Sequence, residues 1–195
     1  VGEAAATNAS ALLRGARGNS GVILSLLFRG FAKAVKDKDS IDGRDLAIAL
    51  DFGVAAAYKA VMKPAEGTIL TVSRLTAARA ADAARQTPND PEAVLEAAIA
   101  EGQLALEHTT EMNPVLKKAG VVDAGGKGFL VILQGMLDSL RGVPMPEGDS
   151  EGEAKVESKT DYAAIAAEEI TFTFDTVFIV RKTSPHKGLE AFEAY

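Results

Sequence analysis

Between Glu3 and Leu140 the apolar residues recur at helical spacing, broken only by short glycine- and proline-bearing turns, and the one convincing strand comes later, at Ile170 to Val180. Leu46, Ala49, Leu50, Gly53, Val54, Ala57 and Val61 show the pattern: they fall at i, i+3 and i+4 and lay one apolar stripe along a helix running to about Met62. A lone strand followed by half a helix cannot bury a core. The chain therefore reads as an all-α domain followed by the opening of something different.

Start and stop signals divide the helical part into about six helices. The first is Ala-rich, from about Glu3 to Arg14. The second, Ser20 to about Val35, carries apolar residues around nearly its whole circumference and is expected to be central and buried. Asp42 caps the third, and Gly53 with its many alanines predicts close helix approach. Thr68 caps the fourth, from Ile69 to about Gln86. Asn89-Asp90-Pro91-Glu92 starts the fifth, which continues to about Thr109. Asn113-Pro114 begins a single turn through Leu116, and a last helix is expected from Phe129 to Leu140. This gives a helical domain at 1–142, a Pro-, Gly- and charge-rich linker at 143–168, and the cut start of an α+β domain at 169–195.

Composition closes several functional routes. Of 195 residues, 47% are hydrophobic and 25% charged, which suits a globular protein with a proper core. A net charge of −6 argues against a general nucleic-acid or anionic-membrane surface. Without cysteine there is no disulfide framework, thiolate zinc site or thiol nucleophile. The two histidines, His108 and His186, lie in different parts of the chain, so no histidine metal site is expected. Asp37 to Gly43 fails as a calcium loop, because its Gly comes one place late and Ile48 stands where a bidentate Glu is needed. No leader-like or membrane-spanning run occurs, and a cytoplasmic protein is expected. The chain opens without Met and is helical from Gly2, which reads as a fragment.

Chemistry concentrates at glycine-bearing helix starts. Gly15-Ala16-Arg17-Gly18-Asn19-Ser20-Gly21 leaves backbone N–H groups unshielded where the second helix begins, a natural anion site. Its plainer reading is a turn, with Asn19 or Ser20 as the cap. Arg14 and Arg17 flank it and are free either to approach a phosphate or to remain solvated. Glu66-Gly67-Thr68 and Asp123-Ala124-Gly125-Gly126 are two further starts of the same build, each also readable as simple capping. The latter is not a P-loop: Val121 holds the place of the first Gly, Gly128 replaces the Ser/Thr, and no strand precedes it. Ser20 has no evident base partner and no G-x-S-x-G elbow exists. Three such starts in one helical domain are able to converge on one polyanion.

In family order, Leu13 to Ser25, Glu66 to Val72 and Gly120 to Phe129 resemble the nucleotide-binding domain of the ATP-binding subunit of bacterial fatty acid kinase, itself similar to the L subunit of dihydroxyacetone kinase. The resemblance implies an antiparallel barrel of eight helices with ATP and magnesium at one end. By it, Asn19, Ser20 and Gly21 contact nucleotide phosphates, Thr68 and Ile69 line the pocket, and Asp123, Ala124 and Gly125 close over ribose or base. The implied reaction moves the γ-phosphoryl group to the carboxylate of a fatty acid presented by a carrier protein. The implied partners are that carrier, the fatty acid and ATP, with a homodimer as a candidate assembly. A dihydroxyacetone kinase subunit and a non-catalytic helical module are the alternatives, and the tail after the linker disfavours the former. The family's magnesium loop lies upstream of the first helix, and no equivalent occurs between Val1 and Tyr195. The chain is thus expected to hold a phosphate cradle without its metal ligands, to bind ATP weakly or not at all, and not to turn over.

Overall fold

The structure, a computed structural model, describes residues 1–144. Nearly all of the expected linker and the whole expected β-α unit lie outside the described residues. Those residues form seven α-helices: α1 (Gly2–Gly15), α2 (Gly18–Ala34), α3 (Gly43–Ala60), α4 (Ile69–Gln86), α5 (Pro91–Met112), α6 (Pro114–Ala119) and α7 (Ala124–Leu140). Among the described residues the all-α expectation holds, and each helix expected between Glu3 and Leu140 is present.

Hydrogen bonds between termini fix the directions. At one end, here the far end, Gly2 N–H donates to Lys38 O at 2.9 Å and joins the start of α1 to the residues following α2. There Arg44 N–H donates to Pro88 O at 2.9 Å, joining the start of α3 to the residues that follow α4. Arg141, just past α7, meets Glu92 at 2.7 Å and Glu96 at 3.1 Å in the first turns of α5. At the near end, Asp123 N–H donates to the Thr109 hydroxyl at 3.1 Å, so α7 starts where α5 is finishing. The long helices therefore alternate in direction, and the starts of α2, α4 and α7 share the near end.

Burial explains why they pack in this order. Leu27 and Val35 of α2, Leu46 and Ala49 of α3, Val72 of α4, Leu95 of α5 and Leu130 and Leu133 of α7 belong to one continuous core. Two glycines set the α2–α3 crossing. A methyl on Gly53 would sit 2.6 Å from Leu27 O, and one on Gly30 would overlap Phe52 O. The close approach expected at Gly53 is therefore real.

Two local expectations are corrected. Helix α7 starts at Ala124 rather than Phe129, because the Asp123 carboxylate accepts from Gly126 N–H at 2.7 Å and lets the helix begin at once. The glycines at 125, 126 and 128 thus lie inside the helix. A Cβ on Gly126 would meet Val72 Cγ2 at 2.8 Å, so that glycine serves the packing of α7 on α4. Helix α2 is not buried all round: Val22 is 44% exposed, and Ile23 and Leu26 are only half-buried. These three residues face a cleft.

Candidate functional site

The cleft opens at the near end, with a volume of about 520 Å³. Its walls come from four places: Asn19, Ser20, Val22, Ile23 and Leu26 on α2; Ala60 and Val61 where α3 ends; Lys63 and Ala65 in the loop that follows; and Thr68, Ile69 and Leu70 at the start of α4, closed by Asp123. Clefts of a few hundred to about a thousand Å³ with an apolar lining and a few polar groups are the usual form of a small-molecule site. Here the polar groups are clustered at helix starts, and Val22, Ile23, Leu26, Val61 and Ile69 supply the apolar side.

The three helix starts differ in how their free N–H groups are treated. Thr68 caps α4, its hydroxyl accepting from Leu70 N–H at 3.3 Å and donating to Ala65 O at 2.8 Å. Asp123 caps α7 through Oδ2, while Oδ1 has no hydrogen-bond partner among the described residues. Helix α2 has no side-chain cap. Its N-cap is Arg17, in extended conformation, and Asn19 and Ser20 lie in the first turn instead of capping it. The plain turn reading of Gly15 to Gly21 needed one of those two as the cap. Without one, the first-turn N–H groups of α2 and the positive end of its dipole remain for a ligand.

Five of the eight sequence-derived candidates, Asn19, Ser20, Thr68, Ile69 and Asp123, line this one cleft. The other three stand just behind it. Ala124 and Gly125 are the first two residues of α7, and a Cβ on Gly125 would sit 3.1 Å from Ser20 Oγ and 3.2 Å from Asp123 Oδ2. Gly21 lies in α2, where a Cβ would press on Ala16 Cα at 3.3 Å. The arginines do not enter the cleft. Arg14 donates to Ser10 Oγ at 2.8 Å, and Arg17 folds back onto Ala16 O at 2.9 Å and Arg14 O at 3.3 Å. His108 is exposed on α5, 3.2 Å from Glu111 and away from the cleft lining.

Some residues that build the site carry no motif. Thr109 is fully buried; its hydroxyl donates to Leu106 O at 2.6 Å and accepts from Asp123 N–H, holding the α7 cap in place. Its carbonyl oxygen is 3.0 Å from where a Cβ on Gly67 would stand. One buried turn of α5 therefore supports two of the three loops. Gly67 itself has φ +73°, which glycine adopts without strain. Its N–H donates to Thr71 Oγ1 at 2.9 Å, and that hydroxyl donates to Glu66 Oε2 at 2.7 Å. Arg74 adds a 3.0 Å bond to the same carboxylate oxygen and a 3.1 Å bond to the Tyr58 hydroxyl. Glu66 is held below the usual carboxylate range, first by the Thr71 hydroxyl, with the Arg74 guanidinium acting in the same direction and desolvation opposing both. Lys63 lines the cleft and has no ion-pair partner among the described residues. Its signal in the sequence was faint: a lone cation beside Pro64, four residues before Gly67.

Residues 1–138 match the DAK2 domain. Protein YloV of Bacillus subtilis (strain 168) is 43% identical over 187 residues, covering 93% of this chain and 34% of that protein. An uncharacterised protein of Staphylococcus haemolyticus (strain JCSC1435) is 43% identical over 184 residues, 93% of this chain and 33% of its own length. An uncharacterised protein of Staphylococcus aureus (strain USA300) is 42% identical over 184 residues with the same coverage. The chain spans about a third of the length of these curated relatives.

Proposed function

Because the chain belongs to the DAK2 domain family, a kinase-related family of dihydroxyacetone-kinase-like nucleotide-binding modules, we propose that the near-end cleft binds ATP and serves an ATP-dependent fatty acid kinase. The observation that carries this reading is the convergence of three helix starts, α2, α4 and α7, on one cleft of about 520 Å³, with α2 left uncapped. Backbone N–H groups at helix starts suit phosphate oxygens. Asn19 and Ser20 add side-chain donors, Lys63 adds a cation, and the apolar wall from Val22 to Ile69 suits a base.

In this reading the chain's own contribution is binding and orientation. The first turn of α2 holds phosphates, Thr68 and Ile69 shape the pocket floor, and Asp123 offers its unpartnered Oδ1 to a ribose or base donor. Magnesium, when bound, supplies neutralisation of charge on the β- and γ-oxygens. It takes one or two protein carboxylates beside phosphates and waters. Asp123 is the one carboxylate lining the cleft, and among the described residues no group of three or more His, Asp or Glu side chains stands close enough to hold a metal ion. The residues present thus fit the nucleotide well and the metal only through Asp123.

The fatty acid carboxylate as acceptor, its carrier protein and the acyl phosphate product rest on the resemblance of the three glycine-bearing motifs. Such a kinase works in the cytoplasm, where ATP is supplied. Among the described residues no helix is long and apolar enough to cross a membrane. Two measurements test the reading. Calorimetric titration with Mg-ATP, in protein of the relatives' full length, is expected to show weaker binding for Ser20→Ala and Asp123→Ala with folding intact; unchanged affinity in both removes the cleft from nucleotide binding. Hydroxylamine trapping of acyl phosphate, with a fatty acid and its carrier, then separates a fatty acid kinase from one acting on a triose hydroxyl.

A further inference from the structure

Charge is sorted by face in this bundle, and the net −6 of the whole chain hides it. Helix α5 holds five glutamates and no Lys or Arg, whereas α2 holds Arg29 and Lys33 and no acid. Arg29, Lys33 and Lys36, the last in the turn just past α2, follow at i, i+4 and i+7 and are all exposed. The neighbouring α3 exposes Arg44 near one end and Lys59 near the other. None of these five cations makes an ion pair or a side-chain hydrogen bond among the described residues. Asp51 is the one exposed acid of the two helices, since Asp45 is half-buried and paired with Lys38 at 2.8 Å. The loop acids Asp37 and Asp39 come after Lys36, where the chain bonds to the start of α1.

Two large apolar side chains stand among these cations. Gly30 and Gly53 let α2 and α3 cross closely, with the Phe52 carbonyl against Gly30, so Arg29 and Phe52 share one crossing. Phe52 is 45% exposed, and Ile48, one turn earlier on α3, is 44% exposed. The cations run along both helices, over about 25 Å, instead of gathering round one pocket. Unpaired like charges set side by side repel one another and do nothing for the fold.

We propose that the α2–α3 face docks the protein on an anionic lipid bilayer. Arg29, Lys33, Lys36, Arg44 and Lys59 meet the lipid phosphates, and Phe52 and Ile48 enter the boundary between headgroups and acyl chains. Cations spread along a face match a diffuse negative surface, and half-exposed apolar side chains among them match the layer just beneath it. A nucleic-acid backbone would use the cations and leave Phe52 and Ile48 in water. The docking is peripheral, since no helix among the described residues is long and apolar enough to cross a membrane. It is independent of what the near-end cleft binds, because none of these seven residues lines that cleft.

Vesicle co-sedimentation of the 195-residue chain, repeated in protein of the relatives' full length, tests this. Both are expected to bind vesicles of mixed phosphatidylglycerol and phosphatidylcholine, less tightly as salt is raised, and to ignore phosphatidylcholine alone. Arg29→Glu with Lys33→Glu is expected to weaken binding by about tenfold or more. Lys117→Glu with Lys127→Glu makes the same change in net charge elsewhere on the surface and should weaken it by less than about twofold. Phe52→Ser should remove the binding that persists at higher salt. All five positions are exposed, and circular dichroism checks that each variant keeps its helix content. Failure of either protein to bind the anionic vesicles overturns the proposal. So do equal losses from the two double reversals, which would make net charge the cause. An oligonucleotide that binds more tightly than the vesicles and is indifferent to Phe52→Ser overturns it in favour of nucleic acid.

Discussion

At the far end of the bundle α3 is capped by the Asp42 carboxylate and α5 by that of Asp90, and α1, which has no side-chain cap, is tied down through a Gly2 N–H bond to Lys38 O. Lys38 and Asp45 add an ion pair at 2.8 Å, and Arg141 spans to Glu92 and Glu96. At the near end α4 and α7 are capped in the same way, yet α2 is not, and the residues around its start recede into a cleft. The two ends use the same kinds of cap and tight turn. What distinguishes the binding end from the sealing end is one helix start, that of α2, with neither a side-chain cap nor a backbone bond from another element among the described residues, set in a cleft beside two starts that are capped.

The near-end turns should therefore fail harder than their sequence suggests. Among the near-end turns Gly67→Ala is expected to be the most damaging single methyl, costing about 2–4 kcal/mol, because it combines a left-handed residue with a clash at Met112 Cβ, 2.9 Å away. Gly18 also has a left-handed φ, of +72°, but faces open space, so Gly18→Ala should cost only the backbone part, about 1–2 kcal/mol. Urea unfolding of the two variants gives the comparison directly. Equal losses would show that the contact of Gly67 with the end of α5 does not support that turn.

Removing caps sets the two ends against each other at matched cost. Asp42→Ala and Asp123→Ala each delete one side-chain bond to a helix-start N–H and should each lower stability by about 1 kcal/mol. Only the near-end change should weaken Mg-ATP binding. If Asp42→Ala weakens it equally, affinity follows global stability and the ends are not functionally different.

How much of this was legible follows from the range of each interaction. Asp42, Thr68, Asp90 and Asp123 bond to N–H groups two or three residues onward, and such bonds are written in the local sequence. The convergence of three glycine-bearing starts was readable as a pattern. Its realisation depended on the alternation of helix directions, set by bonds between distant residues such as Arg44 and Pro88. Gly126 read as a turn residue because its real constraint, Val72 on another helix, is invisible in the sequence. The exposure of Val22 has the same cause, whereas the retreat of Arg14 and Arg17 rests on local bonds to Ser10, Ala16 and Arg14 that no motif marks. Thr109 is the sharpest case: a small polar residue near a helix end that orients two loops from beneath carries no motif.

Lys63 offers a smaller test of the near end. Its side chain is exposed, so Lys63→Ala should leave the unfolding curve in place while lowering ATP affinity by about threefold to tenfold at low salt. The loss should shrink as salt is raised, since an exposed charge acts through a screened field. A loss independent of salt would mean that Lys63 shapes the loop and does not meet phosphate.

The smallest expected effect belongs to Glu66, and its sign is definite. In the folded protein the carboxyl is held below its usual 4.5 by the Thr71 hydroxyl and the Arg74 guanidinium. The ionised form is thus favoured by folding, and its contribution is fully present above that usual value and lost as pH falls through the lower, folded one. Half the side chain is exposed, which keeps the contribution below about 1 kcal/mol. Thermal melts from pH 6 down to about pH 3 should show part of the acid destabilisation of the unsubstituted chain missing in Glu66→Gln, which has no proton to take up there. The far-end counterpart is Lys38→Met, which removes the ion pair with Asp45 but no turn. If Glu66→Gln and Lys38→Met alter the acid limb alike, Glu66 is one more surface carboxylate. If Glu66→Gln alone also loosens ATP binding near neutral pH, the Glu66–Thr71–Arg74 network holds the cleft's edge in place, and the open site at the near end depends on charge set one layer behind it.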